Sequence, residues 1–263
     1  MLTPQGTERT LSKEQAQQLV LQQAGDRATR AFLRSIVNEL RTPLVSIMGA
    51  LSSLQEEGAP LDEQTRQDLI ENAAAEADRL NGLVGNLFDM ARIETGAIEF
   101  MPSPCDVIDL IGSALQGLDT HLKGRPVDVR ISPDLPLVPM DFTLMVKVLV
   151  HLLDNAIQYS APEMPILVQA YTEGDHMDLM VADRGNGIPS ADLTRVFERF
   201  YRVPRPDVRP GLGLGLAICK GILAAHRGRI RADRRDGGGT IITISLPLSI
   251  SQPNGNRHGN VLE

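Results

Sequence analysis

From Arg27 onward the apolar residues Phe32, Ile36, Leu40, Leu44, Ile47, Leu51 and Leu54 recur every three or four positions, which predicts one long amphipathic helix. Pro43 lies inside this run and is expected to kink it. The pattern breaks at 56–60 (EEGAP) and resumes with Leu69, Ala73, Ala77, Leu80, Val84, Leu87 and Ile93 along one face of a second helix. Two long helices joined by a short turn make a helical hairpin. One hairpin cannot cover both of its apolar seams, so a four-helix bundle built from two copies is the economical arrangement, and a homodimer is expected. Upstream, 12–23 is a run of helix formers in which Ser12 and Gln15 have capping-box spacing, preceded by a polar leader containing Pro4 and Gly6.

Beyond Gly96 the period changes. Apolar residues alternate at Val127, Val129 and Ile131, at Ile166, Val168 and Ala170, at Met177, Leu179 and Val181, and at Ile242, Ile244 and Leu246, which predicts strands. Helical stretches near 105–121, 141–159 and 214–227 lie between them, so the second region reads as α+β, a mixed or antiparallel sheet covered by helices. The expected division is a leader and signal-transmitting helix over 1–26, the hairpin over 27–98, the α/β sandwich over 99–249 and a disordered tail over 250–263.

Composition narrows the function without naming it. The 263 residues carry 26 Lys+Arg against 33 Asp+Glu, a net charge of −7, so no polybasic nucleic-acid surface is indicated. No stretch approaches the roughly 20 uninterrupted apolar residues of a membrane helix, and the N-terminus lacks the apolar core of a signal peptide. A cytoplasmic chain with no membrane segment is expected. The two cysteines, Cys105 and Cys219, have no Cys-x-x-Cys or Cys/His companion and are read as core thiols.

Two glycine clusters carry chemistry. Asp183-Arg-Gly185-Asn-Gly187-Ile follows a predicted strand, and Gly211-Leu-Gly213-Leu-Gly215-Leu opens a predicted helix. Glycine lets backbone approach a ligand closely, and a helix N-terminus favours phosphate, so together the clusters suggest a nucleotide.

Over 27–248 the sequence resembles the histidine kinases of bacterial two-component systems. FLRSIVNELRTPLVSIMG is similar to the phosphoacceptor-helix motif, HLLDNAIQYS to the asparagine box, DRGNGIP to the first glycine box, FERFYR to the phenylalanine box and GLGLGLAICKGILAAHRGRI to the second glycine box. All five occur in the family's order. Within the family, IMGALSSL, RLNGLVGNLFDMARIETGAI and LGLAICKGIL resemble the potassium-responsive Kdp-type sensor kinases. Chaperone and mismatch-repair ATPases of the same superfamily lack the ELRTPL hairpin.

The resemblance implies ATP and Mg²⁺ as cofactors. Asp183 accepts a hydrogen bond from the adenine amino group, Tyr159 lies against the ring, and Asn155 supplies an amide oxygen to Mg²⁺. Gly185 and Gly187 allow backbone to approach the base. Gly211, Gly213 and Gly215 hinge a lid that includes the proline-rich stretch 203–210. Phe197 and Phe200 read as core anchors. The implied partners are a second copy, a response-regulator receiver domain and an upstream sensor domain or protein.

The sequence departs from the family where the chemistry is most demanding. The acceptor histidine is replaced by Asn38, whose amide nitrogen has its lone pair delocalised and cannot act as a nucleophile. The five histidines, His121, His151, His176, His226 and His258, all lie outside the hairpin, so autophosphorylation by the family mechanism is not expected. Val37 stands where the family commonly has a small polar residue. His151 stands where many relatives have a second Mg²⁺-binding asparagine, and Gln158 where a basic residue commonly faces the phosphates. His151 reads as a helix-surface histidine, since imidazole suits Mg²⁺ poorly. Glu39 and Thr42, one turn apart on one helix face, match residues that assist hydrolysis of the receiver's aspartyl phosphate in relatives. Arg34 and Arg41 flank the same position and would meet the receiver's acidic pocket.

Overall fold

In a computed structural model the described residues are 13–55, 61–204 and 211–249, with side chains described from residue 34 onward. The leader up to Ser12, the 56–60 break, residues 205–210 of the expected lid and the tail beyond residue 249 lie outside them. The chain divides into two compact units between Leu83 and Val84.

The first unit holds α1 (Lys13–Gln55) and most of α2 (Glu63–Glu94). The two helices expected over 12–23 and from Arg27 are a single one, because nothing between Gln23 and Arg27 breaks the backbone ladder. Helix α1 also runs through Pro43. Asp62 anchors the start of α2, accepting the Thr65 N–H at 2.7 Å and the Thr65 hydroxyl at 2.9 Å. These bonds hold its carboxyl below the usual carboxylate range.

The second unit is the α/β sandwich. After α2 come β1 (Ser103–Cys105), α3 (Val107–Gly117), the short α4 (Asp119–Leu122), β2 (Val127–Ile131), β3 (Val138–Met140), α5 (Phe142–Tyr159), β4 (Ile166–Glu173), β5 (His176–Ala182), α6 (Gly215–Ala225), β6 (Arg229–Arg234) and β7 (Thr240–Pro247). The main sheet has the order β2-β4-β5-β7-β6, and only the β2–β4 pair is parallel. Strands β1 and β3 form a separate antiparallel pair.

Helix periodicity explains the core. Val107, Leu110, Ile111 and Ala114 line one face of α3, Met145, Val148, Leu149, Leu152, Leu153 and Ala156 one face of α5, and Ile218, Cys219, Ile222 and Leu223 one face of α6. All are buried, as are the alternate residues Ile166, Val168 and Ala170 on β4 and Met177, Leu179 and Val181 on β5. Asp106 starts α3 by accepting the Ile108 N–H, and Asp141 starts α5 by accepting the Leu144 N–H. Cys219 is a core thiol that burial pushes up out of the physiological range, whereas Cys105 is only half-buried on the short strand β1.

Three strands were not visible in the alternation. β1 and β3 have three residues each, too short to show a period, and in β6 (RIRADR) the charged Arg229, Arg231 and Asp233 alternate with Ile230, Ala232 and Arg234, so that its apolar face is only two residues long.

Candidate functional site

The C-terminal half of α5 brings Asn155 and Tyr159 to the same end of the sandwich as the loop after β5. Asp183, the first residue of that loop, is buried to 8% exposure. Its Oδ1 accepts the N–H of Gly185 at 2.7 Å and that of Thr240 at 3.2 Å, which ties the loop to the start of β7. Burial pushes the Asp183 carboxyl up, while the Gly185 and Thr240 N–H groups and the Arg235 guanidinium pull the other way. Arg235 holds the backbone below it, donating to the Asp183 carbonyl at 3.0 Å.

The glycines have reasons the sequence did not show. A methyl group placed at Gly185 would lie 2.0 Å from the Tyr159 carbonyl oxygen, so the loop packs directly on the last turn of α5. Gly187 has φ +68° and faces the Gly239 carbonyl, and a methyl group at Gly239 would sit 2.2 Å from the Asp183 carbonyl oxygen. The close approach that requires glycine here is backbone against backbone, within the chain. Tyr159 is 38% exposed, leaving its ring available beside this loop.

Gly211, Gly213 and Gly215 lead into α6, whose first turn has no side-chain cap. Its leading N–H groups therefore keep the field that favours an anion. Gly213 has φ +66°, and a methyl group there would meet the Tyr201 carbonyl oxygen at 2.8 Å. Its own carbonyl accepts the N–H of Phe200, which itself holds φ 63°. Phe197 is buried as expected of a core anchor, but Phe200 is 37% exposed, so the core reading of Phe200 is corrected. A left-handed φ turns its side chain away from the path a regular turn would follow.

His151 is half-buried rather than a free surface residue of α5. Its Nε2 is buried without a hydrogen-bond partner, and its Nδ1 lies 3.4 Å from where a methyl group on Gly215 would be. Burial holds the imidazole below its ordinary pKa, which favours the neutral ring despite Asp154 and Asp89. Asn155 follows one turn later on the same helix. Among the described residues no cluster of three His, Cys, Asp or Glu side chains could hold a metal ion alone. Asn155 offers an amide oxygen, a hard donor that would fit Mg²⁺ with phosphate oxygens completing the shell.

In the first unit Asn38 is exposed and lines an open groove with Arg41, Thr42, Val45 and Ser46. The Thr42 hydroxyl donates to the Asn38 carbonyl at 3.1 Å. Glu39 does not share that exposed face. Its carboxylate is 13% exposed and points to α2, where Oε2 lies 3.6 Å from Arg79 Nη2. This is a charge pair just beyond hydrogen-bond distance.

Thr240, Gly239, Arg235 and Arg125 escaped the sequence reading. The DGGGT run at 236–240 was the available signal for the first two; nothing local marks the arginines.

Residues 28–96 match the His Kinase A (phospho-acceptor) domain, and residues 140–250 match the histidine kinase-, DNA gyrase B-, and HSP90-like ATPase domain. The chain is 34% identical over 242 residues to the sensor protein KdpD of Clostridium acetobutylicum, covering 91% of this chain and 27% of that protein. Among solved structures, the mycobacterial sensor histidine kinase MprB is 31% identical with a TM-score of 0.50, covering 56% of this chain and 97% of that one. Full-length ShkA in complex with AMPPNP is 25% identical with a TM-score of 0.61, covering 83% of this chain and 46% of that one.

The chain therefore belongs to the sensor histidine kinases of two-component systems, with an ATP-binding domain as its second part. The likeness includes the Kdp-type sensors, and the chain spans about a quarter of the length of the curated relatives it matches first. No helix among the described residues is long and apolar enough to cross a membrane.

Proposed function

We propose that the chain is the cytoplasmic core of a two-component sensor kinase that binds Mg²⁺-ATP and controls the phosphorylation of a response-regulator receiver domain, with its own phosphorylation blocked at Asn38. Residues 27–98 are its phosphoacceptor-type hairpin and 99–249 its nucleotide domain. The observation that carries this reading is the contrast between the Asp183 loop, hydrogen-bonded and braced on both sides, and an acceptor position that holds an amide.

Asp183 binds the adenine amino group through its carboxylate, and Tyr159 covers the ring. Asn155 donates its amide oxygen to Mg²⁺, which supplies charge neutralisation at the phosphates when bound. Gly187 and the Gly211–Gly215 run shape the remaining backbone, and the uncapped α6 N-terminus faces the phosphates. Homodimerisation through the hairpin is supported by exposed Leu44, Val45, Met48 and Leu51 on α1. An upstream sensor domain or protein acts through α1.

A second reading has its own support. Half-buried His151 and uncharged Gln158 both weaken phosphate handling, which fits a pseudokinase that binds nucleotide and regulates its receiver by sequestration or dephosphorylation. In that role Thr42 orients the attacking water by its hydroxyl, after releasing the Asn38 carbonyl.

The test is to incubate the Asn38→His variant and the unaltered chain with Mg²⁺ and γ-labelled ATP and look for acid-labile label. Label on the variant alone establishes a kinase machine blocked only at its acceptor. Nucleotide binding without label on either protein sinks the kinase reading in favour of the pseudokinase.

A further inference from the structure

We propose that Arg125 is a positioning residue for base recognition: it locks the last turn of α5 and, through the Tyr159 carbonyl, sets the Asp183–Gly185 loop. This rests on the adenine-nucleotide reading of that loop. Arg125 lies just before β2, far in sequence from the site, and is 9% exposed. A buried guanidinium is tolerated only when its N–H groups are used. Here Nη1 donates to the Ser160 hydroxyl at 2.6 Å and the Ala156 carbonyl at 3.4 Å, while Nη2 donates to the Ser160 carbonyl at 3.1 Å and the Ile157 carbonyl at 3.4 Å. The Ser160 hydroxyl in turn donates to the Ala156 carbonyl at 2.6 Å.

These are the groups a helix C-terminus leaves without partners, and a cation there also meets the negative end of the helix dipole. A planar fork reaches several carbonyls at once, which a lysine cannot. What the clamp holds is functional in position. Asn155 and Tyr159 lie within this same turn and the one before it, and the Tyr159 carbonyl is in close contact with Gly185, whose N–H fixes Asp183 Oδ1. A relaxed α5 terminus moves both Tyr159 and the carboxylate that reads the base. Gly211–Gly215, on another element, stay where they are. Arg125 therefore governs which base is accepted more than whether a triphosphate is held.

The test titrates the unaltered chain, Arg125→Ala and Arg125→Lys with Mg²⁺-ATP and Mg²⁺-GTP by calorimetry, with thermal unfolding of each protein alongside. Arg125→Ala is expected to lower ATP affinity about tenfold and to lower the ATP-to-GTP affinity ratio with it, since sub-ångström misplacement of recognition groups has effects of that order. Arg125→Lys should recover part of the ratio. An unchanged ratio in a destabilised Arg125→Ala protein would overturn the proposal and leave the arginine a structural cap. If Arg125→Ala does not fold, Arg125→Lys and Ser160→Ala are read by the same ratio, and selectivity equal to the unaltered chain in both overturns it. Failure of the unaltered chain to prefer ATP overturns the adenine reading itself, and this proposal with it.

Discussion

The helical hairpin and the α/β sandwich solve the burial problem in opposite ways. In the described part of the first unit only Pro43 and Ala50 are buried, although apolar residues recur along the whole of α1. Val37, Val45 and Met48 are each more than half exposed. The sandwich instead buries continuous faces of three helices against one sheet and holds its polar loops by named hydrogen bonds. The sandwich thus buries its apolar faces within one chain, whereas the described part of the hairpin keeps apolar side chains on its surface, where the proposed dimer would use them. The polar sites differ in the same way: the Asp183 loop is held by hydrogen bonds in the second unit, whereas Asn38 is exposed in the first.

The largest effect is expected where backbone meets backbone. Gly185→Ala forces a methyl group onto the Tyr159 carbonyl, with no flexible side chain to yield, and should lower ATP affinity about 100-fold or more by calorimetry while α1 is untouched. Binding within a few-fold of the original would show that the loop and α5 separate freely. Next, Leu152→Ala empties a fully buried position on α5 and should cost the sandwich about 2–5 kcal/mol in denaturant unfolding. The same change at exposed Leu51 should leave that transition unmoved.

The hairpin is tested by charge. Leu44→Asp combined with Leu51→Asp, two turns apart on α1, should convert a dimer to a monomer in sedimentation with the sandwich transition preserved. An unchanged sedimentation coefficient would remove these residues from the interface.

A smaller effect separates the units by pH. His226 is buried in the sandwich, with Nε2 accepting the Asp141 N–H at 3.0 Å and Nδ1 bonded to the Ile222 carbonyl at 2.8 Å. Burial holds its pKa below the ordinary 6.5, so the folded protein keeps it neutral. Its contribution is fully present above that value and is lost as pH falls below it, because the unfolded chain then binds the proton. His151 adds in the same direction. Asp183, raised by burial, acts with the opposite sign but in the carboxylate range. Unfolding of the sandwich should therefore shift to lower temperature between pH 7.5 and about 5.5, and His226→Gln should flatten that dependence. The smallest change is Thr42→Ala, which removes one exposed hydroxyl contact to the Asn38 carbonyl and should alter stability by less than about 0.5 kcal/mol. A larger loss would mean that Thr42 supports the hairpin more than its exposure implies.

Most elements were legible in the sequence because each has a strong period. The apolar faces of α5 and α6 and the alternation of β4, β5 and β7 are local patterns, and they appear where expected. β6 was not legible, since its alternation is masked by arginines. Asp183 and Gly185 were found as residue types in a glycine-rich turn. Their bracing was not, because the partners Thr240 and Tyr159 lie on other elements.

Legible in the chain alone are the pair of architectures, the order of the asparagine- and glycine-bearing motifs and the amide at position 38. These depend on periodicity, spacing and residue chemistry, which need no third dimension. Packing between elements is what turns Glu39 toward Arg79, buries the His151 Nε2 on the helix turn that faces Gly215, and sets Arg125 against the end of the helix bearing Tyr159. Asp183 and Thr240 meet across 57 positions of chain. Contacts of that kind follow from how helices and strands pack, and no local pattern encodes them.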